Sequence, residues 1–183
     1  MFEQIAVVVS ITFLVMISPG PDMVIVMRST LVGGRRAGIW TSFGVLAGNA
    51  VHMTYCVLGI GWLISKSIVA FSVLKYAGAA YFIYLGITSF RARASSLAPV
   101  DSEPPAGDRR WFVQGFISNV LNPKGTLFYL GVFTMVITPD TSLAVTLALV
   151  ASMKTISATF WVVFVHILDR PLVRRLSRTV NRR

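Results

Sequence analysis

Ser18-Pro19-Gly20-Pro21-Asp22 interrupts an apolar run from Ile5 to Met27 that otherwise carries no charge. Two prolines remove two backbone donors, and the residue before each is turned away from helical geometry. In hydrocarbon an unpaired backbone group costs several kcal/mol, so such a break persists only when buried in protein or lining a cavity. Asp22 beside it is an ionisable group at membrane depth, which marks a functional site. A second break, Asn122-Pro123-Lys124-Gly125, follows about a hundred residues later.

The surrounding composition is that of a membrane protein. Of 183 residues, 55% are hydrophobic and 13% charged, against about a quarter charged in soluble domains, and the mean hydropathy is +0.71. The net charge of +10 is not a nucleic-acid signature, because the basic residues fall in the gaps between apolar runs and form no aromatic-interleaved groove. The single cysteine, Cys56, lies inside an apolar run and is expected to behave as a buried hydrophobe. No CxxC or HExxH spacing offers a metal site, and no cofactor is expected. Met1-Phe2-Glu3-Gln4 lacks the positive start of a signal peptide, so the first apolar run is expected to be retained.

Five segments meet the length of about 20 apolar residues that a bilayer requires: Ile5–Met27, Ile39–Ile64, Val73–Phe90, Phe112–Ile137 and Leu143–Leu168. Ser65–Ser72 reads as a short linker. Arg28, Arg35 and Arg36 follow the first segment, and Arg91, Arg93, Arg109 and Arg110 follow the third. Six arginines between Arg170 and Arg183 follow the fifth, whereas the opposite side holds only Lys66 and Lys75. The positive-inside rule therefore places the N-terminus outside and the C-terminus in the cytoplasm. The polar stretch 91–111, with Pro99, Pro104 and Pro105, reads as a cytoplasmic linker inside a single membrane domain spanning residues 1–183. It follows three helices, an odd number, so the second half enters the membrane from the opposite side, as in an inverted-topology repeat. The predicted fold is all-α, with five transmembrane helices in a 3 + 2 arrangement whose first and fourth members are broken.

Ser18-Pro19 and Asn122-Pro123 each read as a helix cap followed by proline at the first helical position. Pro19 lies roughly 12 Å, and Pro123 roughly 16 Å, from the cytoplasmic end of its segment at 1.5 Å per residue. Both breaks then fall near the bilayer middle, where transporters of this design bind their substrates. The plainer reading is a pair of proline kinks that serve packing only.

The chain resembles the lysine exporter and threonine/homoserine exporter (LysE/RhtB-type) family of bacterial amino-acid efflux proteins. The resemblance is carried by Ser18-Pro19-Gly20-Pro21-Asp22, Gly33-Gly34-Arg35-Arg36-Ala37-Gly38, Gly44-Val45-Leu46-Ala47-Gly48 with His52, Leu74-Lys75-Tyr76-Ala77-Gly78-Ala79-Ala80-Tyr81 with Leu85-Gly86, and Gly115-Phe116 through Leu121-Asn122-Pro123-Lys124. It implies an inner-membrane exporter of amino acids driven by the proton gradient. Two departures stand out. Val132-Phe133-Thr134-Met135 replaces a stretch in which many members carry proline, as in the threonine-exporter branch. A typical member also has a sixth helix after the segment matching 172–183, so the second half is expected to be one helix short of a complete repeat.

Asp22 is the only acid within the five segments. A helix start favours its negative charge and burial opposes it. It is expected to receive a substrate ammonium or the coupling proton, and Lys124 the substrate carboxylate, with Pro19, Gly20, Pro21, Asn122 and Pro123 shaping the site. A fixed Asp22–Lys124 ion pair is the structural alternative. His52 shares a helix face with Gly44 and Gly48, so it faces packed protein, either as a proton relay with Asp22 or as a packing histidine. Asn49, Asn119 and Asn122 are helix-to-helix hydrogen-bonders. Lys154, too deep in the fifth segment to snorkel, is expected to face the interior as an accessory site residue, with Ser157 one turn on. The basic tail 169–183 reads as an anchor on anionic lipid. The Gly44/Gly48 face suits packing within the chain or in a homo-oligomer. The expected function is outward transport of an amino acid such as threonine, homoserine or lysine. The alternative is a truncated, non-transporting membrane protein or the partner subunit of a homologous exporter.

Overall fold

Prolines and small polar residues set the helix limits, as their backbone chemistry requires. The structure is a computed structural model that describes residues 2–91 and 107–171, and every element among them is helical. The six helices are α1 (Phe2–Ile17), α2 (Pro21–Lys66), α3 (Ile68–Arg91), α4 (Asp108–Val120), α5 (Pro123–Val136) and α6 (Leu143–Leu168). The interior of the predicted linker, 92–106, and the tail from 172 onward lie outside the described residues.

Helix α1 stops at Ile17, and α2 starts at Pro21 with extended Gly20 as its cap. The expected cap at Ser18 is thus two residues too early. A proline at 21 keeps Gly20 out of helical geometry, so the new helix begins only at the second proline. The second break follows the sequence reading. Asn122 caps α5, its Oδ1 accepting from the Lys124 N–H at 3.0 Å, with Pro123 at the first helical position.

No loop separates the first two expected segments. Helical geometry runs through 28–38 except at Gly34, where φ is 82° and ψ −179° and the chain doubles back. Only glycine adopts that conformation without strain. The reversal packs Gly38 on Thr30 and brings Val26 beside Val45 in one apolar cluster. Buried hydroxyls flanking the turn are satisfied along their own helix, Thr30 Oγ1 donating to the Val26 carbonyl at 2.7 Å and Ser42 Oγ to that of Gly38 at 2.8 Å.

Two further boundaries differ from expectation. The linker 65–72 shrinks to Ser67, whose Oγ accepts from the Ala70 N–H at 3.1 Å and so starts α3 at once. The linker 91–111 is helical from Asp108, because Asp108 pairs with Arg36 across the fold. Helix α6, capped by Ser142, has the limits read from the sequence.

Glycines set the helix spacing. Gly44 lies against the backbone of Phe112 and Phe116, Gly48 against Asn119, and Gly115 against the Thr41 carbonyl, which draws α2 and α4 together. The Gly44/Gly48 face therefore packs within the chain. Gly78 of α3 likewise meets Gly131 of α5.

The solvent pattern is inside out for a water-soluble protein. Buried positions include Thr12, Thr41, Asn49, His52, Asn119 and Asn122, while Leu58, Val73, Tyr76 and Leu143 are about two-thirds exposed or more. Helices α2 and α6 are long and apolar enough to cross a membrane. The apolar interior forms two clusters, one around Phe128, Tyr129 and Phe133, the other around Val26, Val45, Trp161 and Val165.

Candidate functional site

The two breaks meet where these clusters adjoin, around a cavity of about 70 Å³ lined by residues of α1, α2, α5 and α6 together with both interrupted segments. Each break holds the other. Asp22, on the first turn of α2, accepts at Oδ2 from Asn119 Nδ2 at 2.9 Å and from Asn122 Nδ2 at 3.0 Å. In return, Lys124 Nζ donates to the Ser18 carbonyl at 2.8 Å, and the Lys124 side chain lies over Gly20, where an added Cβ would come within 3.3 Å of Nζ.

Asp22 and Lys124 both line the cavity but form no contact ion pair. The structural alternative of a fixed Asp22–Lys124 pair is therefore not realised. Amide donors hold the carboxylate and a carbonyl holds the ammonium, so each keeps capacity for a further partner. Asp22 Oδ1 is buried with no hydrogen-bond partner.

Asn49 extends the arrangement, its Oδ1 accepting from Asn119 Nδ2 at 2.9 Å. His52 is buried but stands outside the cavity, one residue removed. Its Nε2 lies 2.9 Å from the Asn119 carbonyl. A carbonyl only accepts, so Nε2 carries the proton and donates. Its Nδ1 faces the Tyr55 hydroxyl and Thr126 Oγ1. His52 thus reaches Asp22 through Asn119, whose carbonyl takes one contact and whose amide gives the other.

Lys154 does not join this group. It lies on the exposed face of α6, whereas Met153, Ser157 and Trp161 form the buried stripe. Lys154 is one residue from Met153, about 100° around a helix, so depth along α6 was read correctly but facing was not. Sequence reasoning missed Trp161, Tyr129 and Thr12, all on the cavity wall. The row Leu149, Met153, Ser157, Trp161, Val165 at four-residue spacing was the available signal for the first of these.

The chain matches the model of the LysE type translocators over residues 13–183. It belongs to that family. These translocators are membrane proteins of transport, not enzymes. The chain is 34% identical over 170 residues to an uncharacterized membrane protein of Bacillus subtilis, covering 88% of this chain and 81% of that one. It is 33% identical over 131 residues to a homoserine/homoserine lactone efflux protein of Salmonella typhimurium and 30% identical over 125 residues to a leucine efflux protein of Salmonella choleraesuis. These matches cover 69% and 68% of this translocator but only 61% and 58% of the two efflux proteins. No solved structure matches it.

Proposed function

We propose that this translocator exports a small amino acid or a close derivative from the cytoplasm by alternating access around its two broken helices. The observation that carries the reading is the meeting of the breaks. A carboxylate and an ammonium, each held by neutral partners, line one cavity, and an α-amino acid brings the complementary pair. Its ammonium would bind at Asp22 Oδ1, and its carboxylate at Lys124 beside the start of α5. The efflux activities named for the similar Salmonella proteins fit this chemistry.

The same reading takes the five apolar segments as membrane spans in a 3 + 2 inverted repeat, in the bacterial inner membrane, with the N-terminus outside and the C-terminus cytoplasmic. The basic residues of the sequence support it. The proton gradient supplies the energy, with Asp22 exchanging substrate ammonium for a proton, while His52 braces Asn119, one of the two amides that hold Asp22.

Export of a panel of amino acids from loaded cells expressing the chain tests the proposal against Asp22→Asn and empty vector. Export by the wild type that falls to vector level in Asp22→Asn is expected. Vector-level export by wild-type chain present in the membrane would favour the non-transporting alternative. Full export by Asp22→Asn would end the assigned mechanism.

A further inference from the structure

Trp161 Nε1 is buried and has no acceptor among the described residues, although the indole lines the cavity and is only 4% exposed. A buried donor without a partner costs free energy comparable to a lost hydrogen bond. The ring is not free to turn away, being packed edge-on against Phe160 at 5.3 Å and Phe164 at 5.8 Å between centroids. Two hydroxyls on the same cavity wall are occupied. Tyr129 shares a hydrogen bond with Ser157, and Thr12 Oγ1 donates to the Val8 carbonyl at 2.6 Å.

The indole and the charged pair line one cavity. Lys124 is anchored at Ser18 and Gly20, and Trp161 packs in an apolar cluster with Val26, Val45, Met16 and Met23. A bound amino acid with its carboxylate at Lys124 and its ammonium at Asp22 places its side chain in a cavity that Trp161 also lines. We propose that the Trp161 N–H is the specificity determinant of the site and donates to an oxygen on the substrate side chain. The favoured substrates are then small hydroxyl- or carbonyl-bearing amino acids rather than aliphatic ones of the same shape. This rests on the export reading above, and it names the substrate class within it.

Threonine and valine differ by hydroxyl for methyl at nearly constant shape, and homoserine and norvaline form a similar pair. Export of both pairs is measured from the same membranes for wild type and Trp161→Phe, which keeps an aromatic ring and removes the N–H. The oxygen-bearing member of at least one pair should leave roughly tenfold faster from the wild type. In Trp161→Phe that ratio should fall towards one. A ratio within one membrane preparation is independent of how much variant accumulates. If Trp161→Phe is absent from membranes, thermal stabilisation of the purified wild type decides, and the oxygen-bearing member must stabilise more at equal concentration. Equal export or equal stabilisation by the two members of both pairs, or an unchanged ratio in the variant, overturns this inference while leaving the export reading intact. A wild-type chain that moves none of the four overturns both.

Discussion

The two oxygens of Asp22 have different fates. Oδ2 takes both asparagine amides, whereas Oδ1 is buried without a partner. The geometry makes Asn122 serve twice, as cap of α5 and as donor to Asp22. Asn122→Ala should lower the thermal stability of the purified protein by about 1 kcal/mol from the cap alone and should weaken export further by loosening Asp22. The combined measurement separates a purely structural cap from a shared one. Because Asp22 and Lys124 are not in contact, exchanging them should restore neither folding yield nor export. Recovery of yield by the double exchange, measured as membrane-inserted protein, would show a pairing in another conformation. Lys154 is exposed, so Lys154→Met should leave export rates within about twofold of wild type, in contrast to any change at Lys124.

At the scale of elements, one backbone conformation and a few glycines decide the packing. Gly34 turns the helical run back on itself. Gly34→Ala should cost about 1–3 kcal/mol, read as a fall in melting temperature, because a side chain is strained there whatever space surrounds it. Gly44 and Gly59 form an internal comparison on α2. An added Cβ at Gly44 collides with the Phe112 backbone, whereas at Gly59 nothing lies within 4 Å. Gly44→Ala should therefore reduce folded protein in the membrane, while Gly59→Ala should leave it unchanged or slightly raised through better helix propensity.

For the whole molecule, the Arg36–Asp108 ion pair is a surface contact that ties the Gly34 turn to the start of α4. Arg36 Nη2 donates to Asp108 Oδ2 at 2.6 Å, and Nε donates to Oδ1 at 2.9 Å. The Arg36 hydrogen bonds hold the Asp108 carboxyl below its ordinary value of 3.8. A depressed folded-state value means the contribution is complete above the unfolded value and disappears as pH falls through the folded one. The wild-type advantage in melting temperature over Asp108→Asn should be constant at neutral pH and vanish in acid below that range. An advantage that persists at the lowest pH would assign it to helix capping by Asp108 rather than to the ion pair.

Much of this was legible in the chain itself. Proline and glycine chemistry fixes where helices stop, so Ser18-Pro19-Gly20-Pro21 and Asn122-Pro123 announced the two breaks. Apolar length announced the membrane, and matching breaks beside a carboxylate and an ammonium pointed to the candidate site. These are local properties, set by backbone sterics and by transfer from water. What only tertiary structure decided is which groups face one another. The amides of Asn119 and Asn122, rather than Lys124, bind Asp22 Oδ2; Lys124 takes a carbonyl; Lys154 turns outward; and Trp161 turns in. A side chain one residue along a helix points about 100° away, and the choice among those directions belongs to the packing of neighbouring helices, not to the helix that carries it.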